Sequence, residues 1–261
     1  MRLKFVLAIT AFGASMLVGA QAAWADYITI PATASTKAMP AYLVRPSGPG
    51  PYPAIVVVHG CDGFGTMEKG AVDELGGLGY VALGIDTNTP QGIKVTCGNV
   101  AAYVVSTQYA AAALAWLAQQ AYVAPKRLGM LGYSSGSIEI LNLIDPLSGP
   151  QPAPAGVRAA VAYYPGCRGR DGNISVPLLI LDGSADDWLP SAPCQAMVQN
   201  AAGLGKDAEI TTYPGATHAF NDPVDGTIMV HGHTVTYDPS AAADANAKMK
   251  AFFAKYLESS P

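Results

Sequence analysis

Apolar residues fall along this chain in runs of two lengths. Short runs, Ala54-Ile55-Val56-Val57-Val58, Tyr80 to Asp86, Leu128-Gly129-Met130-Leu131-Gly132, Val157 to Tyr164 and Leu178 to Asp182, are almost unbroken by polar residues. Apolarity without alternation over five to eight positions suits strands buried on both faces of a parallel sheet. Longer segments with helical character separate them. These are Met67 to about Leu78, stopped by Gly79; the alanine-rich Val100 to Gln120, closed by a turn over Val123 to Lys126; Ile138 to Ile144, broken at Asp145-Pro146; and Pro193 to Leu204.

The margins read differently. Tyr27 to Ile30 and Ala41 to Val44 make two short strands at a sheet edge, followed by a loop of prolines and glycines from Pro46 to Pro53. A second Pro/Gly-rich loop spans Ser148 to Gly156, and Glu209 to Tyr213 is a last short strand. The chain closes with a helix from Pro239 to Leu257, capped by Asp238, whose Met249, Phe252, Phe253 and Tyr256 form a core-facing stripe. The alternation is βαβ, so the fold class is α/β, and no internal repeat interrupts it.

Residues 1–25 stand outside this pattern. Arg2 and Lys4 precede an apolar stretch from Phe5 to Ala20, and Ala23-Trp24-Ala25 supplies a small-x-small processing site before Asp26. This is the build of a secretory signal peptide: its core is short and interrupted by Thr10, Gly13 and Ser15, and no stop-transfer pattern follows. Residues 26–261 then form one domain, exported to the periplasm or beyond, with no membrane anchor once the leader is removed. Of the 15 basic residues the leader takes two and of the 19 acidic ones none, so the net charge moves from -4 to about -6. No basic run is available to neutralise phosphates, which excludes nucleic acid as a partner. A composition 50% hydrophobic and 13% charged excludes disorder and describes a compact globule.

Four cysteines, Cys61, Cys97, Cys167 and Cys194, in an oxidising compartment point to two disulfides, with three possible connectivities. No close Cys-x-x-Cys pair suggests a zinc site.

The chemistry centres on Gly132-Tyr133-Ser134-Ser135-Gly136, where a strand turns sharply into a helix. Such a turn lifts the Ser134 hydroxyl above the sheet edge and aims the Ser135 N–H at any negative charge developing beside it. Ser134 is the candidate nucleophile. A serine needs a base, and the base needs a carboxylate. Of four histidines, His218 follows the last strand of the series and is the favoured base. His59 precedes Gly60 and suits a backbone role, whereas His231 and His233 alternate in a polar stretch as hairpin positions; as an H-x-H pair they lack a third metal ligand. For the acid, Asp182, Asp186 and Asp187 crowd the end of one strand, and spacing does not choose between them.

The order Ser134, aspartate, His218 resembles that of the α/β-hydrolase fold, and the local wording is similar to the dienelactone hydrolase family. Gly183 to Pro190 matches that family's Gly-x-x-Asp-x-x-x-Pro segment, and Gly215 to Phe220 its Gly-x-x-His-x-Phe segment. The resemblance therefore implies Asp186 as the acid, and a mostly parallel sheet of about eight strands with helices on both faces. Two departures stand out. Ser134 occupies the place of the family's elbow cysteine, and the loop His59-Gly60-Cys61-Asp62-Gly63 holds no counterpart of its elbow-facing glutamate. The His-Gly-x form resembles the oxyanion loop of esterases, which implies the Cys61 N–H as second oxyanion donor beside Ser135. The strand order implies Cys61 paired with Cys97 and Cys167 with Cys194, bracketing the site.

These readings converge on a serine hydrolase of small esters or lactones that needs no cofactor and no metal. A secreted peptidase of the same fold, a metal-dependent hydrolase and a non-catalytic binding protein are the alternatives. Amide against ester turnover, chelator sensitivity and loss of a triad member respectively would mark them.

Overall fold

The computed structural model describes residues 23–145 and 155–258. The body of the expected leader, Pro146 and most of the Ser148 to Gly156 loop lie outside the described residues. The chain opens with β1 (Ala23–Ile30) and β2 (Met39–Pro46), followed by β3 (Tyr52–Val58), α1 (Thr66–Gly77), β4 (Val81–Ile85), α2 (Val100–Ala118), β5 (Val123–Tyr133) and α3 (Ser135–Ile144). It continues with β6 (Val157–Tyr163), β7 (Leu178–Gly183), α4 (Ala192–Gly203), β8 (Ala208–Tyr213), a hairpin of β9 (Thr227–Val230) and β10 (His233–Thr236), and α5 (Pro239–Phe253), which widens into a π turn over Ala254–Glu258.

Eight strands form one sheet in the order β1-β2-β4-β3-β5-β6-β7-β8. Only β2 runs against its neighbours; the remaining pairings are parallel. Because the strands are buried on both faces, alternate residues feed two separate cores. Val56 and Val58 pack with Ala110, Ala113 and Leu114 of α2 and with Ile140 and Leu141 of α3. Ile55 and Val57 face the other way, toward Val72 and Leu75 of α1 and Phe252 and Phe253 of α5. By length and composition α2 is apolar enough to cross a bilayer, yet its Tyr109, Ala113 and Leu117 side is packed in the core on the sheet.

Three boundaries differ from expectation. Val123 to Lys126 is not a turn but the start of β5: Val123 and Ala124 are buried, Val123 pairs with Tyr52, and a register shift after that pair accommodates Pro125. The closing helix is regular only to Phe253. At the other end, β1 begins at Ala23, so the last three residues of the expected leader extend an exposed edge strand.

The strand order reverses at β3, whose neighbours β4 and β5 lie on opposite sides. A crevice at the carboxyl ends of the strands forms at such a switch point.

Candidate active site

The elbow occupies this crevice. Between the end of β5 and the start of α3, Ser134 adopts φ 51° and ψ -114°, a strained conformation for a residue with a side chain. Its surroundings hold it there. The Ser134 N–H donates to Tyr163 O at 3.0 Å and the Ile138 N–H donates to Ser134 O at 3.2 Å. The buried Ser137 hydroxyl braces the turn, 2.7 Å from Gly132 O and 2.8 Å from Tyr163 O. Both flanking glycines are sterically required: a Cβ on Gly132 would stand 2.6 Å from Gly136 O, and one on Gly136 would stand 2.4 Å from Val58 O.

His218 enters on the loop after β8, paired with Val235 of β10 through an isolated bridge. Its Nε2 lies 2.9 Å from Ser134 Oγ and its Nδ1 2.6 Å from Asp186 Oδ2. The second Asp186 oxygen accepts from the N–H groups of Trp188 and Leu189 at 2.9 and 2.8 Å, which fixes the carboxylate. An Asp186 carboxylate can only accept, so Nδ1 carries the proton and Nε2 is left to accept from Ser134. Rings of Tyr164 and Trp188, with centroids 4.6 and 4.9 Å away, flank the imidazole. The other two aspartates serve elsewhere. Asp182 accepts from the Gly183 N–H, and burial together with the Asp186 charge pushes its carboxyl up to about 7. Asp187 lies at the rim and accepts from the Thr234 N–H of the hairpin.

The loop after β3 is rigid for identifiable reasons. His59 is buried; its Nε2 accepts from the Thr87 N–H at 3.0 Å, so Nδ1 donates to Gly60 O at 2.6 Å. Gly60 O also accepts from the Gly63 N–H. With that carbonyl held on one side of a planar trans peptide, the Cys61 N–H points to the other. Cys61 O is held in turn by the Thr96 N–H at 2.9 Å and by Asn88 Nδ2 at 3.2 Å. Among the described residues, the N–H groups of Cys61 and Ser135 donate to no other backbone carbonyl.

Cys61 is bonded to Cys97, and Cys167 to Cys194, the pairing that the resemblance implies. The first bridge ties the β3 loop to the loop after β4; the second ties the exit of β6 to the first turn of α4. Cys61, Asp62 and Cys97 cluster closely enough to hold a metal, but both sulfurs are in the disulfide and cannot serve as thiolate ligands. His231 and His233 are not brought together as ligands either. His231 Nε2 meets Asp62 Oδ1 at 2.8 Å, and His233 stacks on Trp188 with centroids 4.6 Å apart.

A cavity of about 290 Å³ opens over Ser134 and His218, walled by Phe64, Trp188, and Ile228, Val230 and Val235 of the hairpin. Phe220, also adjacent to a motif, is instead a fully buried core residue. Two acidic liners escaped sequence reading. Glu68, in the first turn of α1, is buried and accepts from the Gly65 N–H at 3.0 Å and more loosely from Gly60 N–H at 3.5 Å. Its only signal was a glutamate three positions after Gly65, the spacing of an ordinary helix cap. Asp222 has no motif at all; burial raises its carboxyl.

Residues 39–257 match the sequence profile of the dienelactone hydrolase family. A Bradyrhizobium protein named as a candidate 2-oxo-3-(5-oxofuran-2-ylidene)propanoate lactonase is 28% identical over 204 residues, which cover 70% of this chain and 79% of the relative. A Methylorubrum extorquens protein named as a candidate carboxymethylenebutenolidase is 30% identical over 208 residues, covering 70% and 68%. Among solved structures, a candidate dienelactone hydrolase from Klebsiella pneumoniae superposes with a TM-score of 0.72 at 24% identity, over 90% of this chain and 100% of that one.

Proposed function

This chain belongs to the dienelactone hydrolase family, within the α/β-hydrolase superfamily, and on that premise we propose that it is an exported serine hydrolase that opens carboxylic esters or lactones through an acyl-enzyme. Hydrolysis of ester bonds is the activity that the family's name and the names of the two relatives share. The serine route rests on one observation, the continuous relay from Ser134 Oγ through His218 to Asp186.

In the first half-reaction His218 Nε2 takes the Ser134 proton as Oγ adds to the ester carbonyl. Asp186 keeps the imidazole in the competent tautomer and stabilises the imidazolium. The charge on the carbonyl oxygen is met by the Cys61 and Ser135 N–H groups, the latter at the positive end of α3. Nε2 then returns the proton to the leaving alcohol. Water repeats the sequence on the acyl-enzyme and releases the acid, so acylation and deacylation both run on groups of this chain. Export through the leader of residues 1–25, leaving a single domain over residues 26–261, is supported by the two disulfides, which persist in oxidising compartments.

The test is release of p-nitrophenol from p-nitrophenyl butyrate, with a serine-reactive phosphonate as covalent probe. Ser134→Ala is expected to lose about 10⁴-fold or more of kcat and all labelling while remaining folded. Turnover and labelling that survive in Ser134→Ala, or a folded wild type that does neither, would overturn the proposal.

A further inference from the structure

Resting on the serine-hydrolase reading, we infer that this site takes uncharged esters and rejects substrates that carry a carboxylate. Three carboxylates, Asp62, Glu68 and Asp222, line the cavity, and among the described residues no lysine or arginine does. Outside the described residues the sequence holds only two further basic side chains, Arg2 and Lys4, both in the segment read as a leader, and residues 146–154 contain none. Lys69 borders a neighbouring cavity that shares Phe64, Gly65 and Thr66. It is already held by Asp73 at 2.7 Å, over the ring of Tyr42. Lys94, in the loop after β4, is exposed and outside the lining. At the rim, His231 is engaged by Asp62 and His233 by Asp187.

Phe64, Trp188, Ile228, Val230 and Val235 give the wall its apolar part, and the polar liners besides the three carboxylates, such as Thr66 and Tyr164, carry no positive charge. A substrate carboxylate would therefore lose water, gain no cation and face fixed negative charge across a poorly screening space. Both relatives named above carry names of carboxylate-bearing lactones, a propanoate and a carboxymethylene compound. The charge of this cavity sets the chain apart from that chemistry.

Three acetate esters with one acyl group and one ring separate the possibilities: 4-acetoxybenzamide, 4-acetoxybenzoate and (4-acetoxyphenyl)trimethylammonium. Each is assayed with the wild-type enzyme and normalised to its hydroxide-catalysed rate. At low salt kcat/KM for the benzoate is expected about tenfold or more below the benzamide, with the ammonium ester at or above it, and the gap narrows as salt rises. Asp222→Asn is expected to raise the benzoate relative to the benzamide by about threefold. Asp222 is preferred to Glu68 for substitution because Glu68 also holds the loop that carries the Cys61 N–H. Ser134-dependent turnover of the benzoate within about threefold of the benzamide would overturn this inference and leave the serine esterase standing. A gap that neither salt nor Asp222→Asn moves would assign the selection to shape and overturn it equally. Failure of folded protein to cleave any of the three would take down the esterase reading itself.

Discussion

At the elbow, backbone packs on backbone, and the Ser137 hydroxyl bonds that brace the turn are buried; at the β9–β10 hairpin, which borders the same cavity, partly exposed side chains hold the strands to the body. The Gly132 and Gly136 Cα atoms leave no room even for a methyl group. In the hairpin Ile228 is 37% and Met229 64% exposed, and its links to the body include the pairs His231–Asp62 and His233–Asp187, the Thr234 N–H bond to Asp187, the His233 stack on Trp188 and the Thr236 N–H bond to Thr217 Oγ1. Only Val235, bridged to His218, is buried there. The difference separates two requirements. On the proposed serine mechanism the attacking atom must be fixed to fractions of an ångström, which calls for a rigid, strained turn, whereas a wall that selects what reaches it tolerates looser attachment.

Gly136→Ala breaks the first half of that comparison. Its new methyl group would sit 2.4 Å from Val58 O and 2.5 Å from His59 O, both on the backbone leading into the loop that carries the Cys61 N–H. Neither carbonyl can yield without moving β3. A loss of about 3 kcal/mol of stability is expected by urea denaturation, together with a fall in activity larger than the lost folded fraction explains. A variant of wild-type stability and activity would mean that the elbow is not the rigid element described.

The two regions were also unequally legible in the sequence. The buried strands announced themselves through unbroken apolar runs, and Gly-x-Ser-x-Gly is readable because the steric demand of the turn is written as glycine. The disulfide pairing followed once the strand order was supplied. Asp186 could not be picked from Asp182 and Asp187 without the family resemblance, because the choice lies in the direction of side chains on one loop. The start of β5 was misread since Pro125-Lys126-Arg127 has the composition of a turn, and only burial of Val123 and Ala124 shows otherwise. Glu68 and Asp222 were silent: a first-turn glutamate looks like a cap, and a cavity wall assembled from distant loops leaves no local pattern.

Between the two regions, beneath the acid loop, lies Asp182, whose replacement sharpens the contrast. Its folded-state carboxyl stands at about 7, raised from 3.8 by burial and by Asp186. A raised carboxyl means that the native state keeps a proton the unfolded chain releases. The resulting stabilisation is complete below the unfolded value and is lost as pH rises through the folded one. Asp182→Asn keeps an acceptor for the Gly183 N–H and removes the titration. Compared with wild type, it is expected to gain on the order of 4 kcal/mol on going from pH 4 to pH 8. Thermal melts of both proteins across that range check this; parallel pH profiles would show that Asp182 does not titrate between them.

The smallest effect belongs to the hairpin. The His231 and Asp62 side chains are 40% and 56% exposed, so their pairing contributes at most about 1 kcal/mol, and His231→Ala should leave the melting temperature within about 3 °C of wild type. Function is where the substitution registers. With His231 gone, Asp62 keeps its charge at the cavity mouth and loses the group set against it, while Ser134, His218 and Asp186 are untouched. The kcat for a neutral ester should therefore stay within about twofold, whereas discrimination against the carboxylate-bearing ester should widen about two- to threefold at low salt. A collapse of kcat instead would mean that the hairpin positions His218 through the Val235 bridge. In that case the rim would be part of the catalytic frame, and the division between a rigid elbow and a tolerant wall would fail.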